Sequence, residues 1–227
     1  WSRAFFDQID PYLRTPRDVT RLCNSLQVTW PAVEDEVDWT DLVVLETLRL
    51  HEPDIYDLIL QKLDRLTGEA SSFGDDNEWA KDLVPTAENS SEPEQVKKAL
   101  MSLFPRLAKA WEPNSFSYGK DNQAQRNRRL QCPEYARNYF SLAPASDQFT
   151  AAQIKNLFTA ADPRKAFDEL FEVAKTRKTR RGSTMVCRLL LQTKEEISTA
   201  NQLPVSLAEA ILAKSDEIVR IRDGERM

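Results

Sequence analysis

Histidine, cysteine and glycine are scarce in this chain of 227 residues, which contains one histidine, three cysteines and five glycines. A single histidine, His51, disfavours a histidine-rich metal site and histidine-dependent hydrolase chemistry. The cysteines Cys23, Cys132 and Cys187 are far apart and form no CxxC pair, which disfavours a disulfide framework and a zinc knuckle. We therefore expect no metal site and a reducing, cytoplasmic compartment.

Glycine motifs that bind phosphate are missing from the sequence. None of the glycines lies in GxxxxGK(S/T) or GxGxxG, and Gly119-Lys120 is followed by Asp121. Neighbouring carboxylates such as Glu34 and Glu36 are typical of a solvated approach to a helix rather than of an acid and base pair. The sequence thus predicts a chain that is not an enzyme by itself and holds no cofactor.

Long hydrophobic runs are also missing. The longest ones, residues 42–45 and 189–191, are far shorter than the roughly 20 residues that cross a bilayer. A hydrophobic fraction of 41% with 30% charged residues is typical of a soluble globular chain. We expect no membrane contact from this segment, and a start at Trp1 instead of Met favours a piece of a longer protein.

Helical periodicity runs through most of the chain, whereas alternating strand patterns are nearly absent. Thr15-Pro16, with Asp18 at the third helical position, is a helix-start signal. Residues 38–50 predict a central helix buried on more than one face, and residues 53–66 predict a helix that Gly68 ends. We predict an all-α fold, either a multi-helical orthogonal bundle or an irregular helical array, without significant sheet.

Further start signals occur in the second half of the chain. Thr150 and Ser206 each open a capping-box pattern, and Asp162-Pro163 combines an N-cap with a proline at the first helical position. Ser183 is a fourth candidate cap. These signals predict separate helices after residues 150, 162, 183 and 206.

A polar, acidic stretch interrupts the helical pattern between the two halves of the chain. It predicts a helical subdomain at residues 1–70, an acidic mobile connection at residues 71–94 and a C-terminal helical subdomain at residues 95–227.

Charge is divided unevenly along the chain. Residues 1–94 carry 8 basic and 21 acidic side chains, whereas residues 95–227 carry 23 and 15. Basic residues cluster twice in the second part, where they could contact nucleic acid or an acidic protein partner, or form solvated loops and pair with the acidic half. The clustered candidates are Arg126, Arg128, Arg129, Arg177, Lys178, Arg180 and Arg181.

Two blocks of sequence carry a family resemblance. The first block comprises residues 12–26 (YLRTPRDVTRLCNSL), 30–31 (WP), 37–42 (VDWTDL), 45–50 (LETLRL) and 52–56 (EPDIY). The second comprises residues 103–107 (LFPRL), Trp111, 128–135 (RRLQCPEY) and 137–140 (RNYF). Together they resemble the helical region that follows the nucleotide-binding core of KAP-family P-loop NTPases.

The resemblance implies that this chain is a non-catalytic part of a larger ATPase whose Walker A and Walker B elements precede Trp1. The parent would bind ATP and Mg, and the chain's partner would be that N-terminal NTPase core. KAP proteins include bacterial proteins linked to phage exclusion and membrane-associated signalling scaffolds. In related NTPases the helical region supplies a sensor arginine, and here Arg17 and Arg21 match that role.

A structural alternative exists for both arginines. Their spacing of four residues puts them on one helix face, where each can reach a phosphate with several donors. Either could instead form ion pairs with Asp18, Glu34 or Asp38 and hold its helix to a neighbour.

Overall fold

The computed structural model describes residues 1–68, 80–108, 122–141, 148–179, 182–200 and 203–224. These residues contain helices and no strand, apart from an isolated bridge between Lys178 and Thr184, so the predicted all-α class is confirmed. The chain divides into two compact units, Trp1–Ala143 and Pro144–Met227. The connection predicted at residues 71–94 falls inside the first unit, because helices on both sides of it contribute to one hydrophobic core.

The first unit begins with short helical turns and a long helix, α1. One α-turn at Ser2–Ala4 continues through a π-helical stretch at Phe5–Ile9 and a 3-10 turn at Asp10–Tyr12. Helix α1 spans Pro16–Val33 and has the predicted start. Thr15 Oγ1 accepts from the Asp18 N–H at 3.3 Å, and Asp18 Oδ2 accepts from the Thr15 N–H at 2.9 Å.

Helix α2, Trp39–His51, is the buried centre of the first unit. Asp38 caps it by accepting from the Asp41 N–H at 3.1 Å. Every residue from Asp41 to Leu48 is buried, as the apolar residues on more than one face of the helix predicted. It packs against α1 and against helix α3, Pro53–Leu66. Helix α3 is followed by Gly68 with a φ of +79°, a left-handed conformation that glycine adopts without strain.

Four shorter helices lie in the rest of the described part of the first unit. Helix α4 is Ala80–Glu88, α5 is Pro93–Leu103, α6 is Asn122–Arg126 and α7 is Pro133–Ala136, with 3-10 turns at Pro105–Leu107 and Arg137–Phe140. Of the predicted mobile connection, residues 71–79 lie outside the described residues, and Ala80–Glu88 is helical. Leu83, Leu100, Phe104 and Leu130 join the core of α2 and α3.

The second unit has its own core and five helices in the described part of its sequence. They are α8 at Ala151–Thr159, α9 at Pro163–Thr176, α10 at Val186–Ala200, α11 at Val205–Ala213 and α12 at Ser215–Gly224. The fully buried rings of Phe149, Phe167 and Phe171 belong to this core.

Two of the four predicted starts in this unit have the expected caps. Thr150 forms a capping box with Gln153, and Asp162 accepts from the Lys165 N–H at 3.0 Å. The box predicted at Ser206 is wrong, because the carbonyl of Pro204 accepts from two helical N–H groups and α11 therefore begins at Val205. Ser183 lies before the start of α10 and places its Oγ 2.7 Å from the Thr179 hydroxyl.

Candidate functional site

Helix α1 contacts its unit through a narrow side and exposes a broad arc. Leu22 and Val33 are its buried residues, and the only charged residues among its exposed ones are Arg17 and Arg21. The exposed residues are Pro16, Arg17, Val19, Thr20, Arg21, Cys23, Asn24, Gln27, Val28 and Pro31. The outer surface of α1 is therefore positive, with the half-exposed Asp18 as its one carboxylate.

Neither arginine forms an ion pair within the described part of the chain, so the predicted pairing with Asp18, Glu34 or Asp38 is not seen there. Asp18 is engaged elsewhere, since its carboxylate accepts from the Thr15 hydroxyl at 2.8 Å as well as from the Thr15 N–H. The Thr15 hydrogen bond lowers the pKa of Asp18. Arg17 and Arg21 thus keep their donors available to an external anion.

A buried carboxylate fastens α1 to α2. The Ser25 hydroxyl of α1 donates to Glu46 Oε2 of α2, and Arg49 donates to the same oxygen at 2.7 Å. Only 4% of the Glu46 side chain is exposed, so its charge depends on these donors. Arg49 also donates to Ser25 Oγ at 2.5 Å. A displacement of α1 must consequently disturb a buried charge on α2.

A second buried carboxylate, Asp41, binds Arg129. Arg129 Nε donates to Asp41 Oδ2 at 2.8 Å, and its terminal nitrogen lies 2.7 Å from Oδ1. The Leu130 N–H also donates to Oδ2 at 2.9 Å, and Arg129 reaches the Ser102 carbonyl at 3.1 Å. Burial raises the pKa of Asp41, and the hydrogen bonds and charge of Arg129 oppose that rise.

The same contact places Arg129, a candidate for a basic partner-binding surface, in an ion pair with the acidic half of the chain, which was the alternative. Its guanidinium instead neutralises a carboxylate whose side chain is 2% exposed. The other residues of that cluster remain closer to solvent, with Arg126 exposed and Arg128 half-buried. Arg128 has a φ of +53°, and its carbonyl accepts from the Tyr139 hydroxyl at 2.7 Å.

The second basic cluster belongs to the other unit. Arg177 is half-buried, with its guanidinium 5.6 Å from the centre of the Phe149 ring, and Lys178 is exposed. Arg180 and Arg181 lie outside the described residues. The two predicted basic clusters therefore belong to different units of the chain.

His51 lies beside the arginine-bearing face. Its ring centre is 5.2 Å from that of Tyr12, and its Nε2 is buried without a hydrogen-bond partner among the described residues. Burial lowers the pKa of His51, while Asp18 raises it and Arg21 lowers it. The histidine is therefore favoured in its neutral form beside Arg21.

Sequence analysis missed Asp41 and Glu46, the two carboxylates that hold these helices in place. A signal was present, because both lie within the stretch predicted to be buried on more than one face. A charged residue in such a stretch requires a partner. The identity of that partner could not be inferred, since Arg129 is 88 residues away from Asp41.

Metal and membrane features are not found in the described ranges. No group of three or more His, Cys, Asp or Glu there is placed to hold a metal ion. No helix among those residues has the length and apolar character needed to cross a membrane.

No protein-family model, curated protein or solved structure matches the chain.

Proposed function

We propose that this chain is a non-catalytic helical region that couples the nucleotide state of a KAP-type P-loop ATPase to a partner or effector, in a cytoplasmic setting such as phage exclusion. ATP and Mg would be bound by the NTPase core of the same protein. The observation that carries the proposal is the exposure of Arg17 and Arg21 without a carboxylate partner in the described part of the chain.

The position of Arg17 supports a role outside folding. It is the second residue of α1, where the helix dipole disfavours a positive side chain by about 0.3–1 kcal/mol. A local disadvantage of this kind is expected at functional sites. An anion held by Arg17 and Arg21 would remove it, because the helix N-terminus itself attracts negative charge.

The contacts of α1 and α2 supply a route for transmission. Ser25, Glu46 and Arg49 connect α1 to α2, and Asp41 connects α2 to Arg129 and Leu130. Both carboxylates are buried, so neither can lose its donors without a large penalty. A movement of α1 would therefore be carried into α2 and the segment around Arg129.

The proposal is tested by ATP binding and hydrolysis in this chain and in a longer chain that includes the preceding core. Arg17→Ala and Arg21→Ala are introduced into the longer chain, with Arg164→Ala as the matched control, since Arg164 is an exposed arginine of the second unit. We expect nucleotide turnover only in the longer chain and a loss of about tenfold or more in either variant, as expected for a lost charge-assisted contact to phosphate. A longer chain that is active and unaffected by both substitutions would refute the sensor role.

A further inference from the structure

Four exposed residues of α1 form a single stripe along the helix. Arg17, Arg21, Asn24 and Val28 follow one another at spacings of four, three and four residues, which places them on one face. We call them the α1 stripe. Val28 is 67% exposed, although it is a large apolar residue in the middle of a regular helix. The stripe is basic at one end and apolar at the other.

The charge of the α1 stripe is opposite to that of its surroundings. Residues 1–94 carry 8 basic and 21 acidic side chains, yet α1 carries two arginines and one carboxylate, Asp18, which already accepts hydrogen bonds from Thr15. Several other arginines of the first unit are paired, among them Arg14 with Glu92 and Arg137 with Asp64. The α1 stripe therefore complements an acidic surface and not a basic one.

We propose that the α1 stripe docks an acidic helical segment of a protein partner. Two carboxylates one helical turn apart on the partner form ion pairs with Arg17 and Arg21. An apolar side chain of the same partner helix covers Val28. Val28 lies about 16 Å along the axis from Arg17, at a rise of about 1.5 Å per residue. This inference rests on the proposed function: the acidic segment and a nucleotide phosphate use the same two arginines in different nucleotide states, so that docking of the partner follows the nucleotide state.

Val28 distinguishes this occupant from other anions. A nucleotide or a nucleic-acid backbone would use the guanidinium groups and would gain nothing from an exposed valine. A protein helix uses both ends of the stripe, because apolar contact at Val28 and ion pairing at Arg17 lie on one line. The acidic surroundings also repel a polyanion more strongly than a short peptide with two carboxylates.

The probe is a fluorescein-labelled helical peptide with Glu at positions i and i+4 and Leu at positions i−7 and i+11. All four side chains share one face, and either orientation brings a Leu to Val28. A matched peptide has Gln in place of both Glu. Binding is measured by anisotropy with the whole chain, in parallel with inorganic triphosphate and a short single-stranded oligonucleotide as competitors.

The variants separate the two ends of the stripe. Arg17→Ala combined with Arg21→Ala should weaken the Glu peptide by at least tenfold, and Val28→Ser should weaken it by about threefold to tenfold. The controls are Arg164→Ala and Val205→Ser, exposed residues of the second unit, which should leave the peptide affinity unchanged. The Gln peptide should not bind.

Other outcomes overturn the inference. They are absence of Glu-peptide binding, an affinity indifferent to Val28→Ser, equal loss in the control variants, or displacement by the oligonucleotide at lower concentration than by unlabelled peptide. Nucleotide turnover of the longer chain is also measured with Val28→Ser, to distinguish a failure of the docking inference from a failure of the proposed function. Turnover that depends on Arg17 and Arg21 while the peptide fails to bind leaves the proposed function standing and removes the acidic partner.

Discussion

The Asp41–Arg129 contact allows a quantitative test of the first unit. Replacing Arg129 with Met keeps most of the side-chain length and removes the charge. Of its donors given above, Asp41 then retains only the Leu130 N–H at 2.9 Å. The Asp41 side chain is only 2% exposed, so water cannot replace the lost donors. Removing one partner of a buried ion pair destabilises a protein by about 3–5 kcal/mol. We expect Arg129→Met to lower the free energy of unfolding by that amount.

The double variant Asp41→Asn with Arg129→Met is the matched comparison. The asparagine side chain keeps an oxygen for the Leu130 N–H but has no charge to bury. We expect the double variant to recover about 2–4 kcal/mol of the loss, because the largest part of the penalty is an uncompensated buried charge.

The destabilisation caused by Arg129→Met should depend on pH, and the direction of that dependence can be worked out. In Arg129→Met only the Leu130 N–H still opposes the burial that raises the pKa of Asp41, so the folded-state pKa lies above its unfolded value of about 3.9. A raised folded-state pKa means that the folded state binds the proton more tightly. The destabilisation should therefore be complete above the folded-state pKa and shrink as the pH falls through it.

Urea unfolding followed by tryptophan fluorescence at pH 7 and pH 5 measures both effects. All five tryptophans precede residue 112, so the signal reports on the first unit. A loss below about 1 kcal/mol at pH 7, or a loss that grows from pH 7 to pH 5, would refute the assignment of Asp41 as a buried ion held by Arg129.

Three further tests concern other groups. Thr15→Ala should lower stability by about 1 kcal/mol through loss of the α1 cap, measured by thermal unfolding. His51 has a lowered pKa, so the fold should lose stability as the pH falls from about 6.5 through the folded-state value, and His51→Gln should remove that slope from a pH series of unfolding curves. If the basic residues bind nucleic acid, Arg126→Ala or Lys178→Ala should each reduce the slope of log K against log salt by about 1, whereas an absence of salt dependence contradicts that alternative.

Local sequence signals predicted a helix start correctly where the cap residue binds an N–H of the first helical turn. Thr15, Thr150 and Asp162 each accept from an N–H three residues later, which depends on neighbouring residues alone. Ser206 failed although it matches the same pattern, because Pro204 supplies the first helical carbonyl and the helix begins at Val205, two residues earlier than a Ser206 cap requires.

The candidate site was predicted in part. The position of Arg17 and Arg21 on one helix face follows from their spacing, and the structure adds that both are exposed and unpaired within its described ranges. For Arg129 the structure shows one of the two alternatives, an ion pair with the acidic half of the chain, but the sequence could not indicate which carboxylate it would meet 88 residues away.

Sequence by itself determined the all-α class, the principal caps and the central position of α2, because each depends on interactions within about one helical turn. Tertiary structure decided which charges are neutralised. Buried Asp41 is paired with Arg129 and buried Glu46 accepts from Ser25 of the neighbouring helix, whereas Arg17 and Arg21 remain exposed. The physical reason is that ion pairing at a distance requires packed helices, which bring together groups that the chain order keeps apart.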